Sequence, residues 1–498
     1  MIYLATTAPT VPELLRQVAD QEPWIDGVEV RADLLQPAER ADSLRIPGML
    51  RDRGSRLELL FTVRRSRDGG RWSGEEHERL GLLERAVGEG YTLIDLESDL
   101  PSDGTAGTIA ALTERHGVTV VRSHHDFRGL PADLAGLMRR LPRSRREVAK
   151  CAVTPQSTSD LLSIVRASDA LGARPHILLG MGPFGFPTRV LLRRLGNLLT
   201  FASAPGESAA PGHVSAQVLE EQYRLRAHRE STRYFAVIGN PIAHSQSPAY
   251  HNRRFAEDRI DACYLPVLVD DVPAFFELAE LLPLHGFSVT IPHKRSVIAH
   301  LSEAGADVRA ANACNTVLRA PSGWRGLNTD VTGFLAPLED VVGAPLEGMR
   351  VLVLGAGGSA RAVVYGLLSR GAEVVVWNRT VARARALADD MRRLVTAGTL
   401  RILERDESGL PDPAPDVHVV VNTTSLGMGG AGDPAPWFPF HGSEVVYDIV
   451  YTPPETPLIR RASDAGCRVI TGDRMFAAQA AAQYELYRAL ATPDGPGV

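Results

Sequence analysis

Lysine is almost missing from this chain. Of its 54 lysines and arginines, spread over 498 residues, only Lys150 and Lys294 are lysines. On a solvated surface a guanidinium serves nearly as well as an ammonium. The two differ where an amine must shed its proton, because a guanidinium stays charged and forms no Schiff base. Both survivors are therefore candidates for chemistry, Lys150 in the apolar run VAKCAV and Lys294 in VTIPHK. Cysteine is scarce as well. Cys151, Cys263, Cys314 and Cys467 lie far apart with no CxxC pair. That spacing argues against a disulfide framework or a bound metal and for a reducing compartment. No apolar run reaches the roughly 18 residues of a membrane span. The opening MIYLATTAPTVPELL lacks a basic start and a long apolar stretch, so no signal peptide is expected and the cytoplasm is the default. Basic stripes with interleaved aromatics are missing and the net charge of −5 is mild, so neither nucleic acid nor a membrane is an expected partner. The residues leave the oligomeric state open.

What remains is a globular composition, 44% hydrophobic and 23% charged, on a chain long enough for two or three cores. In the first half, β-rich runs alternate with helical patterns: 2–7, 27–31, 57–64, 92–97, 118–123, 147–153, 175–181 and 198–203. Eight such runs predict a (β/α)8 barrel, with a doubly wound open sheet as the alternative. Polar residues gather at the C-terminal ends of these runs: Glu29, Arg31 and Asp33; Arg64; Asp95 and Glu97; His124 and His125; Lys150; Met181 and Arg189. In a barrel these ends share one rim, where sites are built. An amine on a buried strand, a histidine able to move protons and several arginines suit Schiff-base chemistry on a carboxylated, hydroxylated ketone. Taken singly, a buried lysine or histidine is more often structural.

The segments EVRAD (29–33), FTVR (61–64), SHHDF (123–127), VAKCAVTPQS (148–157) and MGPFGFPTR (181–189) resemble type I 3-dehydroquinate dehydratases over about residues 1–222. The resemblance implies that Lys150 forms an imine with the substrate ketone and that His125 is general base and acid. It assigns the ring hydroxyls to Glu29, Arg31 and Arg64, and the carboxylate to Arg189. Two departures stand out. The family's Glu before the Gly-Gly pair is Asp68, one methylene shorter. The closing loop, usually Ser-Ala-Pro-Gly-Gln, reads Ala209-Ala210-Pro211-Gly212-His213, which puts His213 where the family has a substrate-facing amide.

In the second half, MRVLVLGAGGSARAVVYGLLSRGAEVVVWNRT (349–380) reads as strand, glycine-rich turn, helix and strand. Its loop Gly355-Ala356-Gly357-Gly358-Ser359-Ala360 lets backbone amides approach a pyrophosphate at a helix N-terminus. Where an NAD enzyme places a carboxylate for the ribose, this chain has Asn378-Arg379-Thr380, and a guanidinium attracts a 2′-phosphate. The expected cofactor is NADP(H). Further strands are predicted at 418–424, 444–451 and 468–472. Ahead of this unit lie GNPIAHSQSPAYHN (239–252), GFSVTIPHK (286–294), NACNT (312–316) and GLNTDVTG (326–333).

Together these motifs resemble shikimate dehydrogenases across about 233–490. The resemblance implies a carboxylate held by Ser245 and Ser247, ring hydroxyls held by Thr290, Asn315 and Gln479, and a catalytic pair Lys294 and Asp330. Tyr451, Gly472 and Met475 match positions lining the cleft, Tyr451 on the substrate side and Gly472 on the cofactor side. The family's usual Asn before Val-Thr-x-Pro is Ser288. The expected division is a barrel over 1–222, a connector over 223–232, a substrate domain over 233–335, a Rossmann NADP domain over 336–474 and a returning helix over 475–498. The product of the first resemblance is the substrate of the second, as in fused dehydratase–dehydrogenase chains of plants and some bacteria. The alternative keeps an NADP-dependent shikimate or quinate dehydrogenase beside a weak or silent barrel.

Overall fold

The computed structural model describes every residue except 101–103, 208–211, 213, 393–397, 405–414 and 493–498. The chain divides into two compact units, one of residues 1–234 with 242–284 and one of residues 235–241 with 285–498.

The first unit contains eight parallel strands: β1 (Ile2–Ala5), β2 (Gly27–Arg31), β3 (Glu58–Thr62), β4 (Leu93–Glu97), β5 (Thr119–Asp126), β6 (Glu147–Val153), β7 (His176–Gly180) and β8 (Thr200–Ala202). They lie in the order β7-β6-β5-β4-β3-β2-β1-β8, a barrel closed except for a full ladder between β7 and β8. A side chain helps to bridge that gap. The Asn197 amide accepts from Leu178 N at 2.6 Å and donates to Leu178 O at 3.1 Å, beside a single bridge from His176 to Asn197. Helices form where cap and periodicity agree. Ser157 accepts from Asp160 N at 3.1 Å to start Thr158–Leu171, whose Leu161, Ile164, Val165 and Leu171 are buried.

Alternation along the strands makes the interior. Leu60, Val121, Val148, Ile177 and Leu179 pack with Tyr3, Ala5 and Phe201 into an apolar plug. Two residues beyond Leu60, Val121 and Val148 on the same face come Thr62, Ser123 and Lys150. Cys151, on the opposite face of β6, packs outward with Ile164 and Leu171. Strand β5 runs three residues past its expected end because β6 pairs with it as far as Asp126↔Val153. The two histidines are therefore held on the strand itself.

Residues 242–284 contribute a helix (Ser247–Glu257), a strand (Ala262–Leu268) and a helix (Val272–Leu281) to this unit. Asp270 accepts from the Thr158 amide at 2.9 Å and hydroxyl at 2.6 Å, while the Thr158 hydroxyl accepts from Asp270 N at 3.1 Å. The starts of two helices are thus tied by reciprocal bonds, each satisfying an end-group donor.

In the second unit, strands Thr316–Ala320 and Gly323–Leu327 form a hairpin against Leu284–Val289, with Glu303–Ala304 at the edge. A second sheet is wholly parallel, in the order Thr399–Ile402, Glu373–Trp377, Arg350–Leu354, Val419–Asn422, Val445–Asp448, Arg468–Ile470. The order reverses at Arg350–Leu354, the switch point of a doubly wound sheet and the usual place for a dinucleotide. Both faces are covered: Val351, Val353, Val374 and Val421 pack one way, Leu352, Leu354, Val375 and Val420 the other. Among the described residues no helix is long and apolar enough to cross a membrane.

Candidate active sites

In the barrel, Glu29, Arg31, Arg64, His125, Lys150, Met181, Arg189 and Phe201 line one cavity of about 140 Å³. The ladder explains which histidine enters it. Ser123 pairs with Lys150 and His125 with Ala152, so Ser123, His125 and Lys150 share the inward face. His124, one residue out of phase, turns Nδ1 toward the Ser98 hydroxyl at 3.5 Å.

The Lys150 ammonium lies 3.2 Å from Asp95 and 3.6 Å from Glu29, and 4.2 Å from the centre of the Phe201 ring. Asp95 is shared, accepting from Arg64 at 2.7 Å and from the Ser123 hydroxyl at 2.6 Å. Burial alone would raise its carboxyl, but Arg64 and Lys150 outweigh that and hold it well below the usual carboxylate range. Burial, reinforced by Arg64 and Lys150, pushes His125 well below an ordinary imidazole. His125 is therefore a neutral ring at pH 7, and its Nδ1 is buried with no hydrogen-bond partner among the described residues.

Arg189 is 2% exposed and has no carboxylate partner among the described residues. Among those residues Nη1 reaches only the Phe201 carbonyl at 3.2 Å, and Nε is unbonded. Burial pulls it down to about 10. A buried cation without a counter-ion costs several kcal/mol, so the site has room for an anion. Arg31, by contrast, has a counter-ion in Asp33, bonded through Nε and Nη2 at 2.9 and 2.8 Å. Asp68 also lines the cavity, but its carboxylate binds Arg65 at 2.5 Å. One methylene shorter than the family's glutamate, it makes no hydrogen bond to His125. His213 lies outside the described residues, as do Ala209, Ala210 and Pro211. Gly212 is described: it adopts φ +75, and a Cβ there would stand 2.9 Å from Gly182 N, so only glycine fits at this close approach.

In the second unit Lys294 is ion-paired with Asp330 and lies 3.4 Å from the Ser359 hydroxyl. Asn328 caps helix Thr329–Val342 and accepts from Asp330 N at 3.2 Å, placing that carboxylate in the first turn. Helix N-termini favour such a charge. The Asn315 amide donates to the other Asp330 oxygen at 2.7 Å. Thr290 is half-buried in the turn leading to Lys294, its amide bonded to Ile238 O at 2.9 Å.

The glycine-rich loop precedes helix Gly358–Ser369. Gly355 adopts φ +115, and a Cβ there would lie 2.5 Å from the Thr423 hydroxyl; a Cβ at Gly357 would meet nothing within 4 Å. The first glycine is needed by the fold, while the second leaves open backbone at a helix start. Ala356 packs on the core and Ala360 is fully buried, fixing the loop. Asn378 donates to Thr380 O at 2.8 Å, closing a turn on which Arg379 is exposed.

Tyr451 lies 5.4 Å from the Phe476 ring, and burial raises its hydroxyl. On helix Gly472–Ala491, a Cβ at Gly472 would stand 2.5 Å from Ile449 O. Met475 is buried, and Gln479 lies against Gly333. Ser245 and Ser247 belong to the first unit, where Ser247 N donates to the Ser245 hydroxyl at 3.3 Å as a helix begins.

Sequence reading had put Asp95 on the rim without a task, and had passed over Ser123 and Phe201. Their signal was the period-2 phase they share with Lys150 once strand register is known.

Comparison with known proteins follows the same division. A family model described as type I 3-dehydroquinase matches residues 2–230. The shikimate dehydrogenase substrate binding domain matches residues 237–317, and shikimate / quinate 5-dehydrogenase matches 339–406. The chain is similar to the chloroplastic bifunctional 3-dehydroquinate dehydratase/shikimate dehydrogenase of Arabidopsis thaliana, 31% identical over 487 residues, 94% of this chain and 78% of that one. It is also similar to the NADP(+) shikimate dehydrogenase of Salinibacter ruber, 39% identical over 51% of this chain and 91% of that one. The crystal structure of Aquifex aeolicus shikimate dehydrogenase aligns at TM-score 0.47 and 30% identity, covering 53% of this chain and 96% of that chain.

Proposed function

Because the chain belongs to the bifunctional 3-dehydroquinate dehydratase/shikimate dehydrogenase family, we propose that it converts 3-dehydroquinate to 3-dehydroshikimate in the barrel. The second unit then reduces that product to shikimate with NADPH. The observation that carries the first step is the inward phase of Lys150 and His125 in one cavity beside an Arg189 that has no counter-ion among the described residues.

Arg189 takes the substrate carboxylate, supplying the missing charge pair. Glu29, Arg31 and Arg64 take ring hydroxyls, and His213 is assigned a further substrate contact by the family resemblance. The Lys150 amine adds to the ketone and loses water to give the imine. Asp95 and Glu29 remain to stabilise the cation that results. Neutral His125 removes the proton next to the imine carbon, giving an enamine, and returns that proton to the departing hydroxyl, which leaves as water. Hydrolysis of the imine frees the conjugated ketone and restores Lys150.

In the second unit Gly355, Ala356, Gly357, Gly358, Ser359 and Ala360 fit a pyrophosphate at a helix start. The turn Asn378-Arg379-Thr380 fits a 2′-phosphate, and Gly472 adjoins the same cofactor. Bound NADPH supplies the hydride. Ser245 and Ser247 hold the substrate carboxylate, while Thr290, Asn315, Gln479 and Tyr451 hold or border the ring. Lys294, kept in place by Asp330, delivers the proton to the carbonyl oxygen. The proposed division is 1–222, 223–232, 233–335, 336–474 and 475–498. The four buried, unpaired thiols support placement in the reducing cytoplasm.

Borohydride reduction in the presence of dehydroquinate tests the barrel against the silent-domain alternative. A substrate adduct mapped to Lys150, with enone absorbance before reduction, is expected. An unmodified lysine and no absorbance would leave only the dehydrogenase.

A further inference from the structure

Five polar residues that no motif joins form one buried chain behind the Lys294–Asp330 pair. Gln483, on helix Gly472–Ala491, accepts from the Ser288 hydroxyl at 3.0 Å and donates to the Thr316 hydroxyl at 2.9 Å. Thr316 donates to Asn315 Oδ1 at 2.8 Å, and Asn315 Nδ2 donates to Asp330 at 2.7 Å. Tyr487 lies 2.8 Å from Ser288. Gln483, Ser288, Asn315, Thr316 and Tyr487 are each 5% exposed or less. At that depth an unmade hydrogen bond is not replaced by water, so the network tolerates few alternatives.

Its direction is fixed at both ends. The Thr329 backbone N–H, which can only donate, points at Asn315 Oδ1 at 2.8 Å. Nδ2 must then face Asp330, which accepts. Thr316, donating to Oδ1, offers its lone pair to Gln483 Nε2. Gln483 Oε1 consequently takes the Ser288 proton, and Tyr487 donates to Ser288. Each amide has one consistent orientation. Ser288 and Thr316 are direct cross-strand partners, so Gln483 fills the space that a longer side chain at 288 would reach into.

We propose that Gln483 is a positioning residue of the dehydrogenase reaction, orienting Asn315 through Thr316 and thereby holding the carboxylate that partners Lys294. The inference rests on the dehydrogenase reading given above. Losing the Nε2 donor frees Thr316 to turn away, and the Asn315 amide loses its orienting partner. Asp330 then drifts relative to Lys294, while the cofactor turn at 378–380 is untouched.

The test uses the full chain and shikimate oxidation by NADP+. Gln483→Met is expected to lower kcat about tenfold with the KM for NADP+ unchanged. Gln483→Glu, which keeps the Ser288 contact and removes the donor, is expected to do the same and stands in if the first variant fails to fold. Adding either Gln483 change to Asn315→Ala is expected to cost less than threefold more than Asn315→Ala alone, because Gln483 acts through Asn315. Values of kcat within twofold of wild type, or losses that multiply in the double variant, would overturn the proposal. Absence of shikimate oxidation by the unaltered chain would instead overturn the dehydrogenase reading itself.

Discussion

Arg189 shows how a single residue trades stability for binding. Its guanidinium is buried, meets one carbonyl and has no carboxylate among the described residues, so the fold bears a desolvation cost that a substrate carboxylate offsets. Arg189→Met is expected to raise the dehydratase KM at least tenfold while leaving Tm no lower than wild type. A fall in Tm with an unchanged KM would show a purely structural arginine. His125 carries a pH signature of the opposite kind. Burial lowers its folded-state value, so the unfolded chain binds the proton first. Its contribution to stability is complete above about 6.5, the unfolded value, and declines as the pH falls below that. Urea midpoints at pH 7.5 and 5.5 are expected to differ less for His125→Asn than for the unaltered chain. Dehydratase activity in the unaltered chain is expected to hold between pH 7 and 6, where a free imidazole would be titrating.

At the scale of elements, strand phase decides what enters the barrel and helix packing decides what backs the second site. The strands were legible because period-2 apolar runs and strand-end polar residues are local properties. Assigning His125 rather than His124 was not, since the choice depends on the pairing of β5 with β6, a contact between segments distant in sequence. The chain Gln483–Thr316–Asn315 was hidden for the same reason: its members join a helix to a hairpin about 167 residues away. Helix Gly472–Ala491 also depends on Gly333, where a Cβ would stand 2.5 Å from Gln479 Cβ and 2.9 Å from its Cα. Alanine is the better helix former by about 1 kcal/mol. Overpacking costs about 1–3 kcal/mol, and here the neighbour includes backbone, which yields little. Gly333→Ala is therefore expected to lower Tm and dehydrogenase activity and to spare the dehydratase; a rise in Tm would show that the helix shifts freely.

For the molecule as a whole, composition was as informative as any motif. A chain that writes 52 of its 54 basic residues as arginine has kept an amine at two positions. One faces a barrel cavity with His125, and the other is paired with Asp330 beside a glycine-rich loop. The closing loop was less legible. Ala209 and His213 depart from the family pattern, and both lie outside the described residues. The most direct test follows NADPH consumption and enone absorbance together, starting from dehydroquinate, in Lys150→Arg and Lys294→Arg single variants. Lys150→Arg is expected to form no enone yet to oxidise NADPH at the normal rate when 3-dehydroshikimate is added. Lys294→Arg is expected to accumulate enone at the normal rate with NADPH use slowed at least about a hundredfold. Enone formation by Lys150→Arg, or full NADPH turnover by Lys294→Arg, would contradict the claim that each amine carries its own half-reaction.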